Sequence, residues 1–283
     1  MPKFTKNAAA LLAAALLALL ITAYGQGLWG LMVMANLRLH PELPWAAAVM
    51  ALLLALLLVY LSGAGWPRST GATRRSLLRW NPIPLPIFGW AILTGLLSLV
   101  AMGGAWIATS DFIHIPPGIT PKMAGTPLVT VVSFLIMGSV AAPLSEEAAF
   151  RGYGQGILER AWGWAPAAIV GSSILFAAVH FTQGLYLPKL GLYFLAGLIF
   201  GTIAYLTNSL YAAMVVHSLA DFEGFLLLWP HDSHPHRLVT EGGHDPLFVP
   251  AVAAVAIFGP LCIVAFWRLA RLTAERRAVQ QKG

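Results

Sequence analysis

The stretch PLVTVVSFLIMGSVAAPLSEEAAFRGYGQGIL, residues 127–158, decides how the chain folds. A helix rising 1.5 Å per residue covers a hydrocarbon core of about 30 Å with roughly 20 apolar residues, and this run is longer than that. It is rich in Leu, Val and Ala and has no period-two alternation, so it reads as a helix rather than a barrel strand. Inside it stand two adjacent acids, Glu146 and Glu147, and a cation, Arg151. Such groups cost about 2.5–3.5 kcal/mol each at a bilayer centre unless they face a partner or a cavity. The stretch therefore predicts both a membrane helix and a polar site within it.

Composition extends the reading to the whole chain. Of 283 residues, 58% are apolar and 10% are charged, with a mean hydropathy of +0.76. Soluble domains carry about 25% charged residues. These values exclude a soluble domain, a disordered chain and a disulfide scaffold; the one cysteine, Cys262, has no intrachain partner. The net charge of +6 is not a nucleic-acid footprint, because the basic residues cluster at the ends of apolar runs and no basic stripe interleaves with aromatics.

Eight spans are predicted, at about 8–34, 45–62, 85–109, 127–157, 165–182, 190–207, 210–229 and 247–269. The expected fold is all-α: a polytopic membrane protein of about eight transmembrane helices in one bundle, with residues 1–283 as a single membrane domain. The first span, with Lys3 and Lys6 before it, is longer than a signal peptide's apolar region and is expected to stay uncleaved. The segments Gly63–Pro84, Ser110–Thr126 and Pro230–Pro246 read as loops. An eight-span threading puts thirteen cations on one side, namely Lys3, Lys6, Arg68, Arg74, Arg75, Arg79, Arg151, Arg160, Arg268, Arg271, Arg276, Arg277 and Lys282. The other four, Arg38, Lys122, Lys189 and Arg237, fall opposite. By the positive-inside rule both termini are cytoplasmic.

Three clusters of ionisable residues interrupt the spans. In the first, Glu147 and Arg151 are four apart with the acid N-terminal, so they pair on one face, while Glu146 points about 100° away. Pro143 just upstream is expected to kink the helix. In the second, Phe176 precedes His180 by one turn and packs on its ring. In the third, His217 and Asp221 share a face. Each has a plainer reading on its own: an interfacial loop, a core histidine bonded to a carbonyl, a structural pair. Depth links them. Glu146 and His180 lie 18 and 16 residues from residue 164, where two helices turn, so both stand about 25 Å from it. His217, nine residues past Asn208, lies about 10 Å lower unless the helix bearing Glu159 and Arg160 projects beyond the membrane; those two charges suggest that it does, so that one glutamate, two histidines and an aspartate converge. A water held between a carboxylate and imidazoles can be activated to attack a carbonyl.

Taken together, Glu146-Glu147-x-x-x-Arg151, Phe176-x-x-x-His180 and His217-x-x-x-Asp221 resemble the three motifs of the CPBP family, the CAAX proteases and bacteriocin-processing enzymes also called the Abi family. The run Glu-Glu-Ala-Ala-Phe-Arg-Gly-Tyr matches the first motif closely, and the likeness covers residues 127–225 as a catalytic core. The resemblance implies an intramembrane endopeptidase in which Glu146 and His180 activate water while His217 and Asp221 hold substrate or an oxyanion, with Glu147, Arg151 and Phe176 in support. Prenyl-protein members usually carry Asn where this chain has Asp221. An ionised Asp donates no hydrogen bond, which shifts that position toward orienting a histidine or ligating a metal. A divalent metal such as zinc at Glu146, His180, His217 and Asp221 is the cofactor the family implies; no His-Glu-x-x-His zincin motif is present.

The implied partners are membrane lipid and a membrane-embedded peptide or protein. The short loops look bacterial, so the expected location is a bacterial inner membrane. One rival is a non-catalytic scaffold or assembly subunit of a membrane complex on the same fold. The other, a proton-coupled carrier, is disfavoured because no paired repeat is visible. The polar run His231–His236, with His244 and Asp245 beyond it, offers metal-ligating residues but reads as a solvated loop.

Overall fold

Hydrocarbon offers no partner for backbone N–H and C=O groups, so segments this apolar close their hydrogen bonds internally as helices. The computed structural model describes residues 3–115, 125–183, 185–232, 238–243 and 245–280, and among them there is no strand. Helix α1 (Lys3–Thr22) passes through a wide π turn (Ala23–Gly27) into α2 (Leu28–Leu39). Next come α3 (Trp45–Leu61), α4 (Gly71–Leu78) and α5 (Leu85–Ser110). Helix α6 (Leu128–Glu146) continues through a second π segment (Glu147–Gly154) into α7 (Gln155–Trp162). Then follow α8 (Ala165–Val179), α9 (Leu187–Thr207), α10 (Tyr211–Glu223), a π turn (Gly224–Leu228), α11 (Trp229–Asp232) and α12 (Phe248–Gln280).

Seven of these helical units are long and apolar enough to cross a membrane. The remaining apolar helix, Trp45–Leu61, has 17 residues, about 26 Å at 1.5 Å each, and so falls just short of a full crossing. Every expected span thus has its helix, with α3 the marginal one. Helix α12 lies along α5, α8 packs on α9 and α7, and α10 sits between α5 and α6. The helices bearing the three motifs form the interior, where Phe150, Phe176, Phe200, Ile203 and Val216 belong to one buried cluster.

Two crossings are close because one partner is glycine, the packing that small residues allow in membranes. A Cβ on Gly95 of α5 would lie 2.3 Å from Val216 Cγ2 on α10, and one on Gly25 would lie 2.2 Å from Ser145 Cβ. Val216 precedes His217 and Ser145 precedes Glu146, so both crossings bear on motif residues.

Two segments read as loops are more ordered than expected. Gly63–Pro84 contains α4, because Arg74 turns inward and donates to the carbonyls of Tyr60 (2.6 Å), Ala64 (2.8 Å), Gly65 (3.3 Å) and Pro67 (3.3 Å). At the other end of the bundle His231, read as part of a solvated loop, is buried. Its Nδ1 lies 3.1 Å from Asp232 and its Nε2 2.6 Å from Asp245. Asp232 in turn accepts from the Trp106 indole at 3.1 Å. His234, His236 and His244 lie outside the described residues, as do Lys122, Arg237 and Lys282 of the charge sorting.

The connection before α5 ties two helix ends together. Arg79 accepts the Leu210 N–H on its carbonyl at 3.2 Å and pairs through its guanidinium with Glu159 of α7. Asn81 donates to the Asn208 carbonyl at 2.8 Å and accepts from the Ser209 hydroxyl at 2.6 Å.

Candidate active site

Glu146 ends the α-helical part of the fourth span, the one that carries the first motif, and Glu147 begins its π segment. Pro143 sits inside α6 without ending it; it has no N–H and crowds the preceding turn, and the backbone relaxes into the wider i→i+5 pattern immediately afterwards. Such π segments concentrate at functional sites. A turn that holds more than 3.6 residues separates successive side chains by less than the 100° of an α-helix. Glu146 and Glu147 consequently reach the same imidazole instead of diverging.

That imidazole is His217, which α10 presents between them. Its Nδ1 donates to Glu147 Oε1 at 2.8 Å. Its Nε2 stands 3.6 Å from Glu146 Oε2 and 3.8 Å from Asp221 Oδ1. The ring lies flat against Phe200, centroids 4.6 Å apart and planes inclined by 26°. Glu147 also touches Arg151 at 3.2 Å, the expected i,i+4 pair. Arg151 is 1% exposed; its guanidinium lies 4.0 Å from the Phe176 ring centroid and 5.4 Å from that of Phe200. Cation–π attraction is strongest where water is excluded, so the aromatic cage holds the cation that balances Glu147.

His180 lies on the far side of Phe176. Its Nδ1 donates to the Phe176 carbonyl at 2.8 Å, and its ring stacks on Tyr193 with centroids 3.8 Å apart. Phe176 packs against His180 at 4.9 Å and His217 at 5.7 Å, edge to face in both cases. One ring therefore touches both histidines and the arginine. Among the described residues His180 makes no ion pair with Glu146; the imidazole beside Glu146 is His217.

The structure thus brings Glu146, Glu147, Arg151, His217 and Asp221 into one cluster and sets His180 beside it behind Phe176. Nδ1 of His217, the atom that fixes its tautomer, is held by Glu147 rather than by Asp221. His217 reaches the level of Glu146, 3.6 Å from it, as the charges at Glu159 and Arg160 suggested. Arg79 binds Leu210 through its carbonyl and Glu159 through its guanidinium, which ties α7 to the start of α10. Tyr193 and Phe200 had no motif to mark them. Their signal was spacing alone: two aromatics seven residues apart on one face of α9.

The metal reading is constrained by the same geometry. Both Nδ1 atoms are engaged, and among the described residues no group of three or more His, Cys, Asp or Glu side chains is arranged to hold a metal ion. Among the described residues the buried Glu146 Oε1 and Glu147 Oε2 have no hydrogen-bond partner. Buried carboxylate oxygens left so are costly and mark places where a small polar molecule is held.

The family model Rce1-like, described as type II CAAX prenyl endopeptidase Rce1-like, matches residues 128–222. No curated protein and no solved structure matches the chain. The matched residues run from the first turn of α6 to the last turn of α10 and include Glu146, Glu147, Arg151, Phe176, His180, His217 and Asp221. By this match and by its three motifs, the segment 128–222 is similar to the CPBP family.

Proposed function

We propose that the protein is an intramembrane endopeptidase that hydrolyses a membrane-associated peptide with water activated by Glu146 and His217. The observation that carries this reading is the bracketed imidazole: Nδ1 given to Glu147 at 2.8 Å, Nε2 turned to Glu146 at 3.6 Å. A carboxylate that accepts from Nδ1 fixes the tautomer and leaves the Nε2 lone pair for proton transfer, the division of labour found in acid–histidine–nucleophile sites. A water between Nε2 and Glu146 has two acceptors for its proton.

The reaction follows from those positions. The water oxygen attacks the peptide carbonyl carbon and forms the new C–O bond as Glu146 takes its proton. The oxyanion collapses, the C–N bond breaks, and the proton passes to the leaving amine. His180, with Nδ1 fixed on a carbonyl and its ring held by Tyr193, presents Nε2 as a second proton-transfer group near the substrate. Arg151, caged and paired, holds Glu147 in place as a positioning residue. Asp221 is the most open member, with 27% of its side chain accessible, so substrate enters from its side. No step requires a metal.

The test is comparative membrane proteomics of cells carrying the wild type or Glu146→Gln. A peptide that accumulates as an uncut precursor only in the variant supports the reading and names the substrate. Full cellular function with a well-folded Glu146→Gln protein, no precursor accumulating, rejects it in favour of a scaffold.

A further inference from the structure

At the opposite end of the bundle from Asp221 lies a cleft unconnected with the acid–histidine cluster. It has a volume of about 400 Å³ and is walled by the residue 81–83 connection, the end of α9 and the last third of α12. That volume falls within the about 300–1,000 Å³ of small-ligand clefts. Thr207 is seven residues from Phe200 on α9, so the cleft stands about 10 Å along the helix from the His217 ring.

Its walls are amphiphilic. The lining combines the polar Arg276, Asn81 and Thr273 with the apolar Ile83, Ile87 and Leu206. Arg277 is already committed, donating to the Tyr205 and Leu206 carbonyls at 3.1 and 2.9 Å, which satisfies the end of α9. Arg276 differs: among the described residues it has neither a hydrogen bond nor an ion pair, yet it faces the cleft. The level is that of the membrane–water boundary. Helix α9 ends here, α5 begins here, and Trp80, Tyr205 and Tyr211 are aromatics of the kind that sit among headgroups.

We propose that this cleft binds the headgroup phosphate of an anionic phospholipid, with Arg276 as the cationic contact and the Ile83–Ile87–Leu206 wall against the glycerol and first acyl carbons. The apolar wall favours a lipid over a soluble phosphate, which would gain nothing from it. The charge sorting puts this end in the cytoplasmic leaflet, where anionic lipids reside and where one arginine near the surface contributes about a five-fold gain in binding.

The experiment reconstitutes the full chain in vesicles of phosphatidylcholine containing phosphatidylglycerol and measures lipid retained after mild extraction by native mass spectrometry. Wild type is expected to retain phosphatidylglycerol over phosphatidylcholine, Arg276→Lys to behave likewise, and Arg276→Gln to retain about five-fold less, with all three melting alike before lipid is added. Equal retention of both lipids by wild type, or undiminished phosphatidylglycerol on Arg276→Gln, overturns the proposal. Displacement of the lipid by an equal concentration of glycerol phosphate also overturns it and assigns the cleft to a soluble phosphate. Should Arg276→Gln fold poorly, added salt decides: release from wild type supports a charge contact, and salt-independent retention refutes it.

Discussion

Glu146 and Glu147 are chain neighbours with separate duties, and the difference lies in what else each touches. Glu147 is bound to His217 and Arg151 together, whereas among the described residues Glu146 approaches only His217, at 3.6 Å. Removing one member of a buried pair strands the other and commonly costs about 3–5 kcal/mol. Arg151→Ala is therefore expected to lower the yield of folded protein along with activity, and Glu146→Gln to abolish cleavage at normal yield; size-exclusion profiles and cleavage assays on both separate the roles. Equal loss of folded protein would contradict the division. Asp221 supplies a contrast. It stands 3.8 Å from Nε2, beyond hydrogen-bond range, and Asp221→Asn preserves its shape while adding a donor. That variant is expected to keep substantial activity, insensitive to chelator or added zinc. A large loss repaired by zinc would instead make Asp221 a metal ligand.

Among the elements, the crossing of α5 and α10 fixes His217 most directly. Gly95→Ala would drive a methyl into Val216, and overpacking of this kind costs about 1–3 kcal/mol. Because Val216 adjoins His217, the expected result is a fall in both melting temperature and kcat, with Val216→Ala in the same chain restoring both. Restored stability without restored activity would mean that the crossing does not position the histidine. This level also shows what the sequence could and could not reveal. Helices were legible because apolar length alone dictates them, and the Glu147–Arg151 pair because its spacing is local. The wide turn at Glu147–Gly154 was not, since no residue pattern separates i→i+5 from i→i+4 bonding, and with it went the expectation that Glu146 diverges by about 100° from the face shared by Glu147 and Arg151. Arg74, counted as a solvated loop charge, turned inward because four carbonyls from a tight turn were free to receive it. Such partners become visible only once the chain has folded back on itself.

At the scale of the whole molecule, orientation decides which compartment sees the site. His180 follows the end of α8 and Asp221 lies in the last turn of α10, so the cluster is offset toward the connections after α8 and α11. The charge sorting assigns those connections to the non-cytoplasmic side. In a Cys262→Ala background, Thr182→Cys is expected to react with a membrane-impermeant thiol reagent from outside intact cells, and Asn208→Cys only after lysis; the reverse labelling would invert the topology and open the site to the cytoplasm. The clasp made by Arg79 and Asn81 bears on how the gene can be divided. A fragment comprising residues 125–283 holds all the motif residues and the entire matched segment, yet it lacks the clasp that ties α7 to α10 and the glycines that admit Ser145 and Val216. Expressed alone it is expected to insert but remain inert, and co-expression with residues 1–124 to restore cleavage by complementation in trans. The apparently nondescript first half would then be the template on which the reactive half is aligned.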